Sequence, residues 1–168
     1  MKWWLVFRQK VGNYFVAGEW SKNPEDPSSD AFSILNDLEF FRTNGRFLFK
    51  MTWPGTGLAD QIWEQTSNPV EETTVSGYSA IAAPHTVWGW VGLIPSNGPA
   101  LLDGSDTSWF YAVGSFEAYE GGIPGPGADN IVPQVELYVE VSNLTTTSTS
   151  TTSSTTTSST TSTSTTTS

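Results

Sequence analysis

The sequence predicts a mainly β protein: an antiparallel β-sandwich or jelly-roll-like domain over residues 1–142 with one short helix, then an extended Ser/Thr tail over 143–168. Three observations predict it. At least seven short apolar runs are separated by Gly, Pro, Asn and Asp, the spacing of sandwich strands and their turns. Eight Trp, nine Phe and five Tyr suit half-buried pleated surfaces. The last 24 residues, Thr145 to Ser168, are Ser and Thr without interruption.

Trp3-Trp4-Leu5-Val6-Phe7 reads as a buried or edge strand, and Asn13-Tyr14-Phe15-Val16 as a second short one after Gly12. Residues 21–29 form a loop punctuated by Pro24 and Pro27. Residues 30–41 read as the one helix: Phe32, Leu35, Leu38 and Phe41 recur every three positions, and Ser29 or Asp30 is placed to cap it. Asn44-Gly45 either ends that helix or makes the type I′ turn of a hairpin.

From there the pattern is all strand. Residues 46–53 are stopped by Pro54-Gly55, and residues 61–66 by Asn68-Pro69. Residues 73–81 alternate imperfectly; 88–93, 100–102, 109–113 and 134–141 complete the set. Glu136-Leu-Tyr-Val-Glu-Val141 alternates as a strand with one wet face does. Gly121-Gly-Ile-Pro-Gly-Pro-Gly127 is too rich in Gly and Pro for regular structure, and a shaped surface loop is expected there.

Composition removes several function classes. A domain of this size buries a core without disulfides or metals, and the absence of Cys excludes thiol chemistry. No apolar run approaches the ~18 residues of a membrane span. Arg8-Gln9-Lys10 cuts short the apolar start, leaving no signal-peptide core, so the sequence reads as a mature form or a piece of a longer precursor. A net charge of −10 argues against nucleic-acid and anionic-membrane partners. All seven basic residues lie in the first 50 positions, which carry six acids and a net +1; the remainder carries −11. Folding either mixes these segments or leaves a less acidic face that fits an acidic face on a neighbouring copy.

Catalysis is not expected. A Ser-His-Asp triad would need His85, the sole histidine, and the chain has no Gly-x-Ser-x-Gly elbow. Carboxylates for glycoside hydrolysis exist at Glu64, Glu117 and Glu120, but nothing raises one above another. One histidine and no cysteine leave no zinc site. Asp103 and Asp106, in Asp103-Gly-Ser-Asp-Thr-Ser108, offer hard oxygen ligands for Ca²⁺, against the plainer reading of a turn. No other cofactor is indicated.

Sugar recognition has better material. Trp88-Gly89-Trp90 puts two indoles on one side if the segment is a strand, and Trp109 or Tyr119 can join from another loop. The competing reading is that these rings fill the core.

The tail holds no apolar or charged residue, so alone it cannot offset its conformational entropy. Its composition is that of a mucin-like O-glycan carrier, with Thr145, Thr146, Thr147, Ser148, Thr149, Ser150, Thr151 and Thr152 as the first acceptors. Extended, it reaches roughly 75 Å at about 3.1 Å per residue. Ordering it would cost on the order of 24–48 kcal/mol, which glycans or neighbouring copies would have to offset. Asn143-Leu144-Thr145 is the only N-glycosylation sequon, and both kinds of sugar imply secretion.

Several phrases carry a family likeness: Trp4-Leu-Val-Phe-Arg-Gln9, Ser33-Ile-Leu-Asn-Asp-Leu-Glu-Phe-Phe-Arg42, Phe49-Lys-Met-Thr-Trp-Pro54, Trp63-Glu-Gln-Thr-Ser-Asn-Pro69, Trp109-Phe-Tyr-Ala-Val-Gly-Ser115, Gly121-Gly-Ile-Pro-Gly-Pro126 and Val135-Glu-Leu-Tyr-Val139. With these the chain resembles a poorly characterised family of secreted β-rich modules of aquatic invertebrates and protists. The likeness covers nearly the whole domain and none of the tail. Members often carry Cys near the positions of Thr52 and Asp60, where this chain has none, so no bridge carries over. The family has no assigned activity; the resemblance implies secretion and adhesive or structural work, and transfers no catalytic residue.

Two functions follow as expectations. The first is a structural extracellular glycoprotein whose copies stack head to tail into a helical filament, locked by exchange of a terminal strand such as residues 3–7. The second is a carbohydrate-binding, lectin-like module on a mucin-like stalk. In both, glycans are the other partner and the location is extracellular.

Overall fold

The computed structural model describes residues 1–104, 109–127 and 129–142; Asp106, the sequon at Asn143 and the Ser/Thr tail lie outside the described residues. Seven strands make the larger sheet: β1 (Lys2–Lys10), β2 (Ser21–Lys22), β3 (Ala31–Ile34), β4 (Phe47–Thr52), β5 (Gln61–Gln65), β6 (Ser79–Ala82) and β12 (Gln134–Val141). Their order is β2-β3-β1-β12-β4-β5-β6, and every neighbouring pair is antiparallel. The two chain-terminal strands are therefore central. Trp4 stands opposite Val139 and Arg8 opposite Glu136, with a bulge between Leu5 and Phe7. Strand period explains the layers: Phe47, Phe49 and Met51 of β4 and Trp63 of β5 point into the core, while Leu48, Lys50 and Thr52 line the other face.

The second layer holds β7 (Leu93–Pro95), β8 (Ala100–Gly104) and β9 (Val113–Ser115) as a three-stranded antiparallel sheet, beside a hairpin of β10 (Ile123–Pro124) and β11 (Ile131–Val132). One hydrophobic cluster joins the layers. Its centre is aromatic: Trp63 meets Trp90 edge-on at 4.8 Å, and Trp90 meets Tyr111 at 4.5 Å. The mainly β, sandwich-like architecture is the one the sequence predicts.

Several elements differ from expectation. Residues 30–41 split into β3 and a 3-10 helix, Leu35–Phe41, with no side-chain cap at its start. A repeat of three residues is the period of a 3-10 helix rather than the 3.6 of an α-helix, and it buries Leu35 and Leu38. Asn44 and Gly45 have φ of 52° and 78°, and Thr43 and Arg46 exchange both backbone bonds, so the pair makes the tight hairpin turn. Residues 13–16 form no strand, although Phe15 is buried and its N–H reaches Ser115. Only the end of 73–81 is strand, as β6. The expected strands at 88–93 and 109–113 survive only as β7 and β9, because positive φ at Trp88, Gly89, Gly92, Trp109 and Tyr111 breaks the pleat. Residues 122–127 are buried, not a surface loop; β10 lies so close to β11 that a Cβ on Gly125 would stand 2.3 Å from the Asn130 carbonyl oxygen.

Candidate binding surfaces

Two surfaces of the domain are left apolar and open. The first is built of aromatic rings on the loops around the second layer. The turn at 87–89 lifts Trp88, with φ of 62°, so that its side chain is 51% exposed. Its indole lies flat over Phe110, the centroids 5.8 Å apart and the planes 7° from parallel. Phe110 meets Tyr119 edge-on at 6.3 Å, and Tyr119 meets Trp109 at 5.2 Å. Four rings from three loops thus touch in succession, one pair stacked and two pairs edge-on.

Hydrogen bonds hold each loop. The Tyr111 hydroxyl donates to the Val87 carbonyl at 2.9 Å, fixing the residue before Trp88. Asp103 Oδ2 accepts from the Trp109 N–H at 2.9 Å and from the Ser96 hydroxyl at 2.7 Å. Burial pushes the Asp103 carboxyl above its ordinary value, and these two bonds partly oppose the shift. Burial likewise pushes the Tyr111 hydroxyl up to about 12, with Tyr78 adding to the shift and the bond to Val87 opposing it. Tyr119 is set by a two-residue turn, Glu120-Gly121, closed by paired bonds between Tyr119 and Gly122.

The sequence-derived sugar candidates are therefore divided. Trp88, Trp109 and Tyr119 share one ridge. Trp90 is not part of it: the residue is 4% exposed, turned into the core against Trp63 and Tyr111. The segment is a turn, so the rule that alternate strand residues share a side does not apply. Phe110 is the member the sequence reading missed. Its only signal is its place beside Trp109.

The second surface is β6, the outermost strand beyond β5. All four of its residues, Ser79-Ala80-Ile81-Ala82, are exposed, and Ile81 is 52% exposed. It carries no charge and no Pro. Its pairing with β5 shifts register, Ala80 opposite Trp63 and Ala82 opposite Ile62, so Ile81 bulges out of the ladder; Lys and Pro, other common guards of a sheet edge, are absent from the strand. Elsewhere in the sheet β3 meets β1 only at Phe7, Arg8 and Gln9, leaving residues 2–6 of β1 without a strand on that side among the described residues.

Comparison with protein families, curated proteins and solved structures finds no match.

Asp103 faces inward as a loop pin, and no group of three or more His, Asp or Glu among the described residues is arranged to hold a metal. The His85 backbone is held by Gln61, its Nε2 lies 2.8 Å from the Ala59 carbonyl, and its ring meets Trp53 edge-on. Five of the seven basic residues pair with acids of the same chain: Arg8–Glu136, Lys10–Asp30, Lys22–Glu19, Arg42–Glu39 and Arg46–Glu64. Lys50 sits against the rings of Trp3 and Tyr138. Two of these pairs, Arg8–Glu136 and Arg46–Glu64, join the two charge segments, and the other three lie within the first 50 residues. No helix among the described residues is long and apolar enough to cross a membrane.

Proposed function

We propose that the chain is a structural extracellular glycoprotein whose copies join at the edges of the larger sheet to build a helical filament. The observation that carries this reading is β6, an exposed, uncharged edge strand that bulges at Ile81 and has no further strand beyond it among the described residues. Edge-to-edge pairing satisfies the free backbone groups of both partners. The other open edges, along β2 and the first half of β1, differ from β6 in length and sequence. A contact between unlike edges is heterologous and repeats without closing, which is how a filament grows.

This route differs from the two suggested by sequence. Residues 3–7 pair with β12 of their own chain and are not free to be exchanged without opening the sheet centre. The charge split is met within the chain only by Arg8–Glu136 and Arg46–Glu64, so it adds to an edge contact but does not carry it. In the proposal, Asn143 and the Ser/Thr tail carry the sugars that coat the assembly.

The test is sedimentation and negative-stain imaging of the native glycoprotein beside an Ile81→Lys variant. Filaments from the parent, and single particles from the variant, are expected. A native preparation that stays as dispersed particles of 18.2 kDa plus glycan sinks the proposal. Glycopeptide mass spectrometry of residues 143–168 tests the sugar coat separately, and bare Ser and Thr there would remove that part.

A further inference from the structure

We infer that the aromatic ridge around Trp88 is a binding site for a neutral carbohydrate, with the Trp88 indole as the platform for one pyranose ring. This goes beyond assembly, because the ridge lies on loops of the second layer and not on the open edge of the larger sheet.

Exposure is the first ground. A half-exposed indole flanked by Val87 and Val91, also exposed, is apolar area the fold has not buried. The second is backbone strain. Trp88, Trp109 and Tyr111 have φ of 62°, 82° and 54°, in the left-handed region that bulky residues avoid. Asn23 and Asn44 also have positive φ, but Asn tolerates it, and Glu120 takes it in a two-residue turn. The strain without such a reason falls on three aromatic residues, two in the ridge and the third tied by its hydroxyl to Val87. Strain of this kind costs roughly 1–3 kcal/mol per residue and concentrates at binding sites.

Geometry selects the ligand. Phe110 backs the indole in a parallel stack, leaving one flat π-face outward. The C–H face of a pyranose matches such a surface, with its positive hydrogens against the negative face of the ring. Quaternary ammonium groups are taken by cages of several rings closing around the charge, whereas here the rings pack on one another, Trp88 on Phe110 and Tyr119 against Phe110 and Trp109. A protein partner needs about 1,000 Å² of interface, far more than one indole and two valines supply. Anionic ligands are disfavoured because residues 87–127 contain acids and not one Lys or Arg. Pinning by Tyr111 and Asp103 fixes the platform before the ligand arrives, which lowers the ordering cost of binding.

The experiment is a titration of the full glycoprotein, followed by tryptophan fluorescence and calorimetry, with cellohexaose, chitohexaose, laminarihexaose and mannohexaose, and with tetramethylammonium as the cationic control. Saturable binding of at least one hexasaccharide is expected. Trp88→Ala should weaken it about tenfold, with Trp88→Phe recovering much of the loss. The inference is overturned if no hexasaccharide saturates, if tetramethylammonium alone binds, or if Trp88→Ala binds sugar as the parent does. It is also overturned if Trp88→Ala disperses filaments, which would make the ridge an interface between copies. The Ile81→Lys variant should keep full sugar affinity, so loss of assembly and loss of this site are read separately.

Discussion

The side-chain amide of Gln9 pairs with the backbone of Ser115 at two points: Oε1 accepts the Ser115 N–H at 2.9 Å and Nε2 donates to the Ser115 carbonyl at 2.9 Å. The pattern recurs twice. Gln61 clasps both backbone groups of His85 at 3.0 and 2.7 Å, and Gln65 those of Leu93 at 3.0 and 3.1 Å. All three glutamines are fully buried on the larger sheet. A primary amide has the donor and acceptor of a peptide group, so each glutamine does for the second layer what a neighbouring strand would.

Replacing one glutamine by Met keeps its volume and removes both bonds. Gln65→Met should be the costliest, because Gln65 Oε1 also accepts the Trp63 indole N–H at 2.9 Å. Each orphaned group is worth about 1–3 kcal/mol, so a loss of at least about 2 kcal/mol is expected in urea unfolding. A change under about 0.5 kcal/mol would show that water replaces the amide.

Asp103 gives a pH-dependent prediction. Its carboxyl is raised by burial, so the folded state holds the proton more tightly than the unfolded chain. That contribution is fully present below the ordinary value of 3.8 and is lost as pH rises through the folded value. Asn stays neutral, and one amide oxygen can accept from both Ser96 and Trp109. Asp103→Asn should therefore be at least as stable as the parent at pH 7, with a flatter profile above pH 3.8. Asp103→Ala orphans the Trp109 N–H and should cost about 1–3 kcal/mol. Unfolding curves across pH decide between the two signs.

The strands β1, β4, β5 and β12 were legible because alternation and turn residues agree there. The stretches 88–93 and 109–113 were not. Their Trp, Tyr, Phe and Val content is that of strands, and nothing local announces that Trp88, Trp109 and Tyr111 take positive φ. Those conformations are imposed from afar, by the Val87–Tyr111 and Asp103–Trp109 bonds. The glutamine clasps were hidden for a similar reason: Gln is a surface residue by habit, although Gln61 and Gln65 stand in phase with Trp63. At Asn44-Gly45 the sequence left a helix end and a type I′ turn open, and the turn is the alternative whose φ the residue pair itself supplies.

Glu39 predicts an acid-side effect of opposite sign. Its hydrogen bonds to Arg42, at 2.7 and 2.8 Å, and to Asn68, at 3.0 Å, hold its carboxyl at about 2, below the ordinary 4.5. The stabilisation is present above pH 4.5 and is lost as pH falls through about 2. Glu39→Gln should remove the part of the acid limb between those values. The side chain is 48% exposed, so salt should weaken the effect, and denaturation midpoints at two ionic strengths measure it.

Gly121 and Gly125 separate two reasons for glycine in one loop. Gly121 has φ of 81° with open space where a Cβ would go, so Gly121→Ala pays only the left-handed penalty of about 1–2 kcal/mol. At Gly125 a Cβ would stand 2.3 Å from the Asn130 carbonyl oxygen and 2.8 Å from Val132 Cγ1. Backbone cannot swing aside as a side chain does, so Gly125→Ala should cost about 3 kcal/mol. The effect should also travel. The Gly125 carbonyl accepts the Tyr111 N–H at 2.9 Å, and the Tyr111 hydroxyl holds Val87 beside Trp88. Gly125→Ala should therefore raise the mobility of the Trp88 indole, read by solvent quenching of its fluorescence, while Gly121→Ala leaves it unchanged. Equal quenching in the two variants would mean that the ridge is not supported from this hairpin.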